Sequence, residues 1–273
     1  MYDNFNIKQV NTGNGRHYEI NNNGNLYKLI SVTSLLDKVK PKEALFAWRK
    51  SVGEEEAQRI TTTAANRGTK AHGYVEDYLL KRVLPTPSND ESYKCFENLL
   101  PVVNLIQPIE IEKKTYWVNE YGYGFAGTKD MWASINGAKL VNRATNQVVA
   151  DEQVSFIGDI KTWNKAKYPY ASNREGERYY PLISYGLQLS AYAAATNQRT
   201  SGNAAVNRAF IFGVTNNCRA PFIYYFSPEA VMFYWNKMKQ IVDCYYTNTN
   251  FNWVSFEKEA DRLGFLGDRC DLI

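Results

Sequence analysis

The stretch VSFIGDIKTW, residues 154–163, constrains this chain more than any other. It is a short apolar run flanked by polar residues and reads as a strand. Successive side chains of a strand point to opposite faces, so Asp159 and Lys161 emerge side by side while Ile160 points into the opposite layer. An isolated pair of this kind is common as a structural ion pair and says little alone. Its neighbours in the chain decide what it means.

Before it, IEIEKKTYWV alternates apolar and polar residues, and GYGFAGTKDMWASI is aromatic and glycine-rich; both read as strands. NGAKLVNRATNQVVADEQ reads as a long hairpin excursion outside the core. Near the N-terminus, HYEINNNGNLYKLI gives two short strands around an Asn/Gly turn, and Ser31 to Ser34 offer helix N-caps. Pro41 suits a first helical position, and residues 42–82 carry apolar side chains at helical spacing, with Gly68 expected to separate two helices. LPTPSND is a loop, and ESYKCFENLLPVVNLI a helix expected to break near Pro101. After the GDIKT strand come a helix from about Glu177 to Asn197, strands AFIFGVT and FIYYFS, and a long helix opened by Ser227 and Pro228. The fold class expected is α/β, a central mixed β-sheet flanked by helices.

At 273 residues and 44% hydrophobic, the chain can build one sizeable core. It contains no run of about 18 apolar residues, and MYDNFNIKQV is too polar for a signal peptide. A soluble, cytoplasmic protein without membrane contact is expected. The net charge of +4 is too small to indicate nucleic acid, so local distribution has to carry that argument. Cys95, Cys218, Cys244 and Cys270 form no CxxC pair and read as buried thiols rather than zinc or iron–sulfur ligands.

GFAGTKD supplies a second acid, Asp130, on the strand before the hairpin excursion. Two aspartates with a backbone carbonyl and waters suit a hard divalent cation, and an adjacent lysine can orient the attacking water and stabilise phosphate charge. Metal, two acids and a lysine make a phosphodiester hydrolase. His72 and Glu76, four apart in RGTKAHGYVEDYLL, share a helix face, as do Gln188 and Tyr192 in YGLQLSAYAAATN. Glu112, on the strand before Asp130, is a further acid that can approach, with a solvent-facing position the plainer expectation.

In order, GTKAH, GTKD, GDIKT and QLSAY resemble the motifs of the PD-(D/E)XK nuclease superfamily, in its RecB-like branch, over about Ser31 to Asn197. SVTSLL looks like that branch's N-terminal lead-in. The resemblance implies an N-terminal hairpin and helical region over 1–106 that guides DNA, and a restriction-endonuclease-like nuclease core over 107–273. It implies a magnesium or manganese site of one or two ions held by His72, Asp130, Asp159 and the Ile160 carbonyl. Lys161 would act on the nucleophilic water, Gln188 would position Lys161 or a phosphate, and Tyr192 would contact DNA near the scissile group. Lys129 stands where the motif's name has proline, a loss common in this branch. The cysteine cluster of the iron–sulfur relatives is missing, and so is a Walker motif.

The segment 38–70 holds Lys38, Lys40, Lys42, Arg49, Lys50, Arg59, Arg67 and Lys70, with Phe46 and Trp48 among them. A basic face with aromatics suits single-stranded DNA, through phosphate attraction and base stacking. Of these, Lys42, Trp48, Arg49, Lys50, Arg59, Arg67 and Lys70 are the expected DNA contacts. The expectation is a metal-dependent exonuclease preferring single strands with a free end, in replication, recombination or repair. Replication or recombination proteins are candidate partners. An endonuclease on the same core, or a catalytically silent DNA-binding protein, are the alternatives.

Overall fold

The computed structural model describes residues 5–163, 181–200, 205–218 and 220–273. The N-terminal meander has three strands, β1 (Phe5–Thr12), β2 (Gly15–Asn22) and β3 (Asn25–Ser31), of which the sequence reading found the last two. Ser31 caps α1 (Val32–Val39) by accepting from the Ser34 N–H at 3.0 Å. There follow α2 (Glu43–Val52), α3 (Glu54–Lys81), α4 (Glu91–Val103), β4 (Ile106–Val118), β5 (Gly124–Ile135), β6 (Leu140–Asn142), β7 (Val148–Ala150) and β8 (Phe156–Thr162). The chain closes with α5 (Pro181–Arg199), β9 (Ala209–Val214), β10 (Phe222–Phe226), α6 (Pro228–Thr247), α7 (Trp253–Arg262) and β11 (Asp268–Leu272). The start expected for α5, at Glu177, lies outside the described residues.

All eleven described strands join one mixed sheet, ordered β1-β2-β3-β5-β8-β9-β10-β11-β6-β7, with β4 paired to β5. Helices cover both faces, so the protein is an α/β fold as its element order suggested. Alternation along β8 divides the cores: Ile157 packs with α1, α5 and α6, whereas Phe156 and Ile160 pack with α3 and α4. β8 and β9 run parallel from Ile157↔Ala209 to Thr162↔Val214, and a parallel pair needs a crossover, here containing α5. The meander joins this sheet through β3, and α3 packs in the core formed with α4, β5, β8 and β9.

β5 is the pivot. One edge pairs with β4 from Gly124 to Ile135. The opposite edge is divided, because β3 takes Phe125 and Ala126 in parallel and β8 takes Met131 to Ala133 antiparallel. Residues Gly127 to Asp130 lie between those two partners, at a fork in the sheet.

Three expectations are corrected. Gly68 does not separate helices but sits inside α3, where its bare Cα faces Thr162 at the end of β8. Pro101 does not break α4; it falls in the last turn, where its missing N–H forfeits one bond, and Leu99, Val102 and Val103 anchor that turn in the core. The excursion after β5 is a hairpin, yet its Leu140, Val149 and Ala150 are buried, because β6 adds to β11. β1, α7 and β11 were not foreseen. Among the described residues no helix is long and apolar enough to cross a membrane.

An alanine Cβ at Gly68 would meet Thr162 Oγ1 at 3.4 Å, an ordinary contact. Gly68→Ala should therefore raise stability by about 0.5–1 kcal/mol, the intrinsic helical advantage of alanine. Urea denaturation measures it, and a loss would show that α3 requires a closer approach to β8.

Candidate active site

Where β5 and β8 part, the ladder stops at Met131↔Gly158. Continuing that register, the next rung would set Asp130 opposite Asp159. Instead the Ile160 N–H donates to Asp130 Oδ2 at 2.8 Å, a side chain standing in for a ladder carbonyl. The strands diverge there and leave their acids at the opening.

α3 brings His72 to the same place, one turn beyond Gly68. Its Nε2 lies 2.8 Å from the Ile160 carbonyl oxygen and its Nδ1 3.4 Å from Asp130 Oδ2. Both neighbours are acceptors, and a neutral imidazole carries only one N–H. One ring nitrogen therefore faces an oxygen lone pair unless a second proton or a metal cation lies between them.

Glu112 completes the group. It sits between the β4–β5 pairs Ile111↔Met131 and Lys113↔Lys129, across from Asp130, in a left-handed backbone (φ 45°) that is uncommon for a non-glycine residue inside a strand. Donor atoms of His72, Glu112 and Asp130 all lie within 4.8 Å of one another. Opposed ligands about 2.1 Å from a magnesium ion are about 4.2 Å apart, so this set can close on one cation with little movement. Burial, and then Asp130, Glu76 and Asp159, push the Glu112 carboxyl up to about 8.

Asp159 and Lys161 lie beside this group, on the α5 side of β8. Asp159 is 1% exposed. Gln188 Nε2 of α5 donates to its Oδ1 at 3.2 Å, and Lys161 Nζ is 2.5 Å from its Oδ2, an ion pair without hydrogen-bond angles. Burial raises the Asp159 carboxyl, with Lys161 opposing and Asp130 adding. For Lys161 burial works downward, but Asp159 and Asp130 outweigh it and hold the ammonium above the ordinary lysine range. Its Nζ also lies 5.3 Å from the Tyr185 ring centroid.

Of the expected cation ligands, the structure gathers His72 and Asp130 and adds Glu112, with the Ile160 carbonyl against the far ring nitrogen of His72. Asp159 is engaged by Gln188 and Lys161 instead. The expected solvent-facing position of Glu112 is corrected: register and an unusual φ turn it inward. Gln188 donates to Asp159, whose other carboxylate oxygen meets Lys161. Tyr192 is 3% exposed, and a Cβ at Gly127 would fall 2.7 Å from its hydroxyl oxygen, so the tyrosine packs behind β5 and offers no open surface to a strand. Lys129, in the place of the motif's proline, is fully buried and pairs with Glu110, which also accepts from Arg199 Nη2 at 2.6 and 2.8 Å. Sequence reasoning gave that lysine no role.

The expected DNA contacts divide. Lys42 pairs with Asp37 at 3.2 Å, Arg59 with Glu56 at 2.6 Å, Arg67 with Glu91 at 3.3 Å, and Arg49 with Glu54. The Lys42, Arg49 and Arg59 pairs lie at the surface, where such pairs are weak, whereas the Arg67 side chain is only 10% exposed. Lys50 and Lys70 are exposed, and Trp48 is half-buried. α2 buries no residue fully, and its Phe46 is 61% exposed. The thiols Cys95 and Cys270 are buried, Cys218 and Cys244 half-buried, and all four are free.

The folded Glu112 carboxyl holds its proton to about pH 8, whereas an unfolded glutamate loses it near pH 4.5. Between those values the folded state binds more protons, so with metal chelated Glu112 should make stability fall as pH rises through that window. Glu112→Gln should flatten that part of the slope and weaken magnesium binding at least about tenfold, as calorimetry would report. An unchanged magnesium isotherm would remove Glu112 from the ligand set. No family model matches the chain and no curated protein matches it, so a functional reading rests on this geometry and on the motifs.

Proposed function

We propose that this protein is a divalent-cation-dependent deoxyribonuclease of the PD-(D/E)XK type, cutting phosphodiester bonds in single strands that enter by a free end. The observation that carries the reading is the fork. Asp130, Glu112 and His72 bring donor atoms within 4.8 Å of one another, with the Ile160 carbonyl 2.8 Å from His72 Nε2, beside the Asp159–Lys161 pair. A divalent cation held there would supply Lewis acidity and a water acidified for attack.

The chain's own residues account for the rest. Asp159, fixed by Gln188, holds Lys161 at the edge of the donor group. An ammonium kept charged in this way cannot take a proton from water; it orients the water and offsets charge developing on the phosphate oxygens. Tyr192, seated on Gly127, backs the β5 segment that carries Asp130. The exposed aromatic Phe46, half-buried Trp48 and nearby Lys50 offer stacking and charge to a strand approaching over α2. We place this activity in the cytoplasm, in DNA replication, recombination or repair.

Labelled linear and circular DNA, single and double stranded, incubated with magnesium, manganese or EDTA, tests the reading. Linear single strands should be degraded with either metal and spared in EDTA, and closed circles should persist. Asp130→Asn, Asp159→Asn and Lys161→Ala should each lower turnover at least about a hundredfold while retaining DNA binding. His72→Ala should instead raise the metal concentration required, by about 10- to 100-fold. Near-normal turnover by any of the first three would remove the site, and cutting of circles would move the protein to the endonuclease reading.

Replacing Arg49, Lys50 and Arg59 together by Ala should reduce the salt dependence of single-strand binding by up to about 2 in log–log slope, about 0.7 for each real contact. Metal affinity should not change. An unchanged slope would exclude α2 and the start of α3 from the strand's path.

A further inference from the structure

β4 and β5 pair regularly up to Ile111↔Met131 and again from Lys113↔Lys129. Between those rungs lie Glu112 and Asp130, whose donor atoms come within 4.8 Å of each other. When both are ionised, as cation binding requires, they repel across a gap in the ladder. Holding that gap at the width of one ion needs a further restraint.

The ion pair of Lys129 with Glu110 crosses the gap diagonally. Glu110 belongs to a rung before it, opposite Trp132, and Lys129 to the rung after it. By strand alternation Lys129 points away from Asp130, so the pair lies behind the donor group and competes for none of its atoms. Glu110 and Glu112 would share a face in a regular strand. The left-handed backbone at Glu112 (φ 45°) parts them, sending one to Lys129 and the other to the donor group.

Glu110 does not need Lys129 for its neutralisation. Arg199 Nη2 already donates to both its oxygens, at 2.8 and 2.6 Å, yet Lys129 is 0% exposed beside them. Two cations are therefore buried against one acid. Burying such charge is costly, and replacing it with a packed apolar side chain is often neutral or stabilising. Stability alone does not account for this lysine.

We propose that Lys129 is a positioning residue of the cation site, its pair with Glu110 acting as a clasp that keeps Asp130 and Glu112 one ion's width apart. The inference rests on the cation site of the nuclease reading and deepens it. Its main test uses magnesium without DNA.

Magnesium isotherms from calorimetry and melting temperatures are compared for the wild type, Lys129→Met, Lys129→Arg, Arg199→Met, and Lys129→Met in a Glu112→Gln background. Lys129→Met should weaken magnesium binding about tenfold, as loss of a group supporting a metal ligand does, without lowering the melting temperature. A field effect alone would do the reverse, since removing a nearby positive charge favours a cation. Lys129→Arg should recover most of the affinity. Arg199→Met leaves the clasp across the gap and should bind magnesium nearly as the wild type does. With Glu112 already replaced, Lys129→Met should cost less than about a further threefold, because no pair of acids remains to be held. The magnesium needed for half-maximal DNA cleavage should rise by the same factor as the isotherm in Lys129→Met. Unchanged or tighter binding by Lys129→Met, an equal loss in Lys129→Arg or Arg199→Met, or a melting temperature that falls with the affinity overturns the proposal. The expected pattern in a protein that cuts no DNA would keep the clasp and defeat the nuclease reading. Metal-dependent cutting, with normal magnesium binding by Lys129→Met, would defeat the clasp and keep the nuclease.

Discussion

The bond from the Ile160 N–H to Asp130 Oδ2 organises the rest of the structure around the site. A backbone donor at the fork of two strands needs an acceptor, and the β5 carbonyl that would normally serve has moved away with the diverging strand. Asp130 serves in its place and is thereby fixed in position. His72 reads the other half of the same peptide neighbourhood through the Ile160 carbonyl. One residue of β8 therefore registers α3 and β5 against each other, and any displacement of β8 would move both groups. The split edge of β5 is the condition for all of this, because a sheet paired without interruption would leave no room between Asp130 and Asp159.

How much of this is legible in the sequence follows from the range of each interaction. Asp159 and Lys161 share a face by the period of a strand, and Gln188 with Tyr192 or His72 with Glu76 share one by the period of a helix, so those pairs can be read locally. Ser31 and Ser227 declare their helices by cap chemistry alone. Glu112 could not be read this way. Its approach depends on β4 register beyond an irregularity between Pro108 and Glu110, and on a φ that no propensity assigns to glutamate in a strand. Gly68 and Pro101 misled because their local tendency to break a helix is overridden by packing, against Thr162 in one case and within the α3–α4 core in the other. The basic residues of α2 and α3 were visible as charges, but which acids each would pair with was not.

Charge is buried on both sides of the functional strand pair. Lys129 of β5 and Arg199 of α5 converge on Glu110 of β4; on β8, Lys161 meets Asp159. Desolvation offsets much of the Coulomb energy of such pairs, so they are poor sources of net stability, yet removing one partner strands the other. Their effect is geometric. Lys129 immediately precedes Asp130, and tying it to β4 and to the end of α5 limits how far that aspartate can shift. A proline at this position would supply rigidity through its ring, whereas the buried ion pair supplies it through neighbours.

The remaining imbalance is what gives the site its chemical direction. Glu76, Glu112 and Asp130 gather on one flank with His72, while Lys161 pairs with Asp159 and is held charged by Asp159 and Asp130 together. Acidic groups therefore outnumber basic ones at the donor group, with the Lys161 ammonium beside them on β8. A ligand able to relieve both must bring a cation to the first and an anion to the second. On the proposed reading, a divalent ion together with a phosphodiester would answer both in a single complex. Either partner alone would leave one half of the field unanswered, so metal and phosphate should strengthen each other's binding through this arrangement.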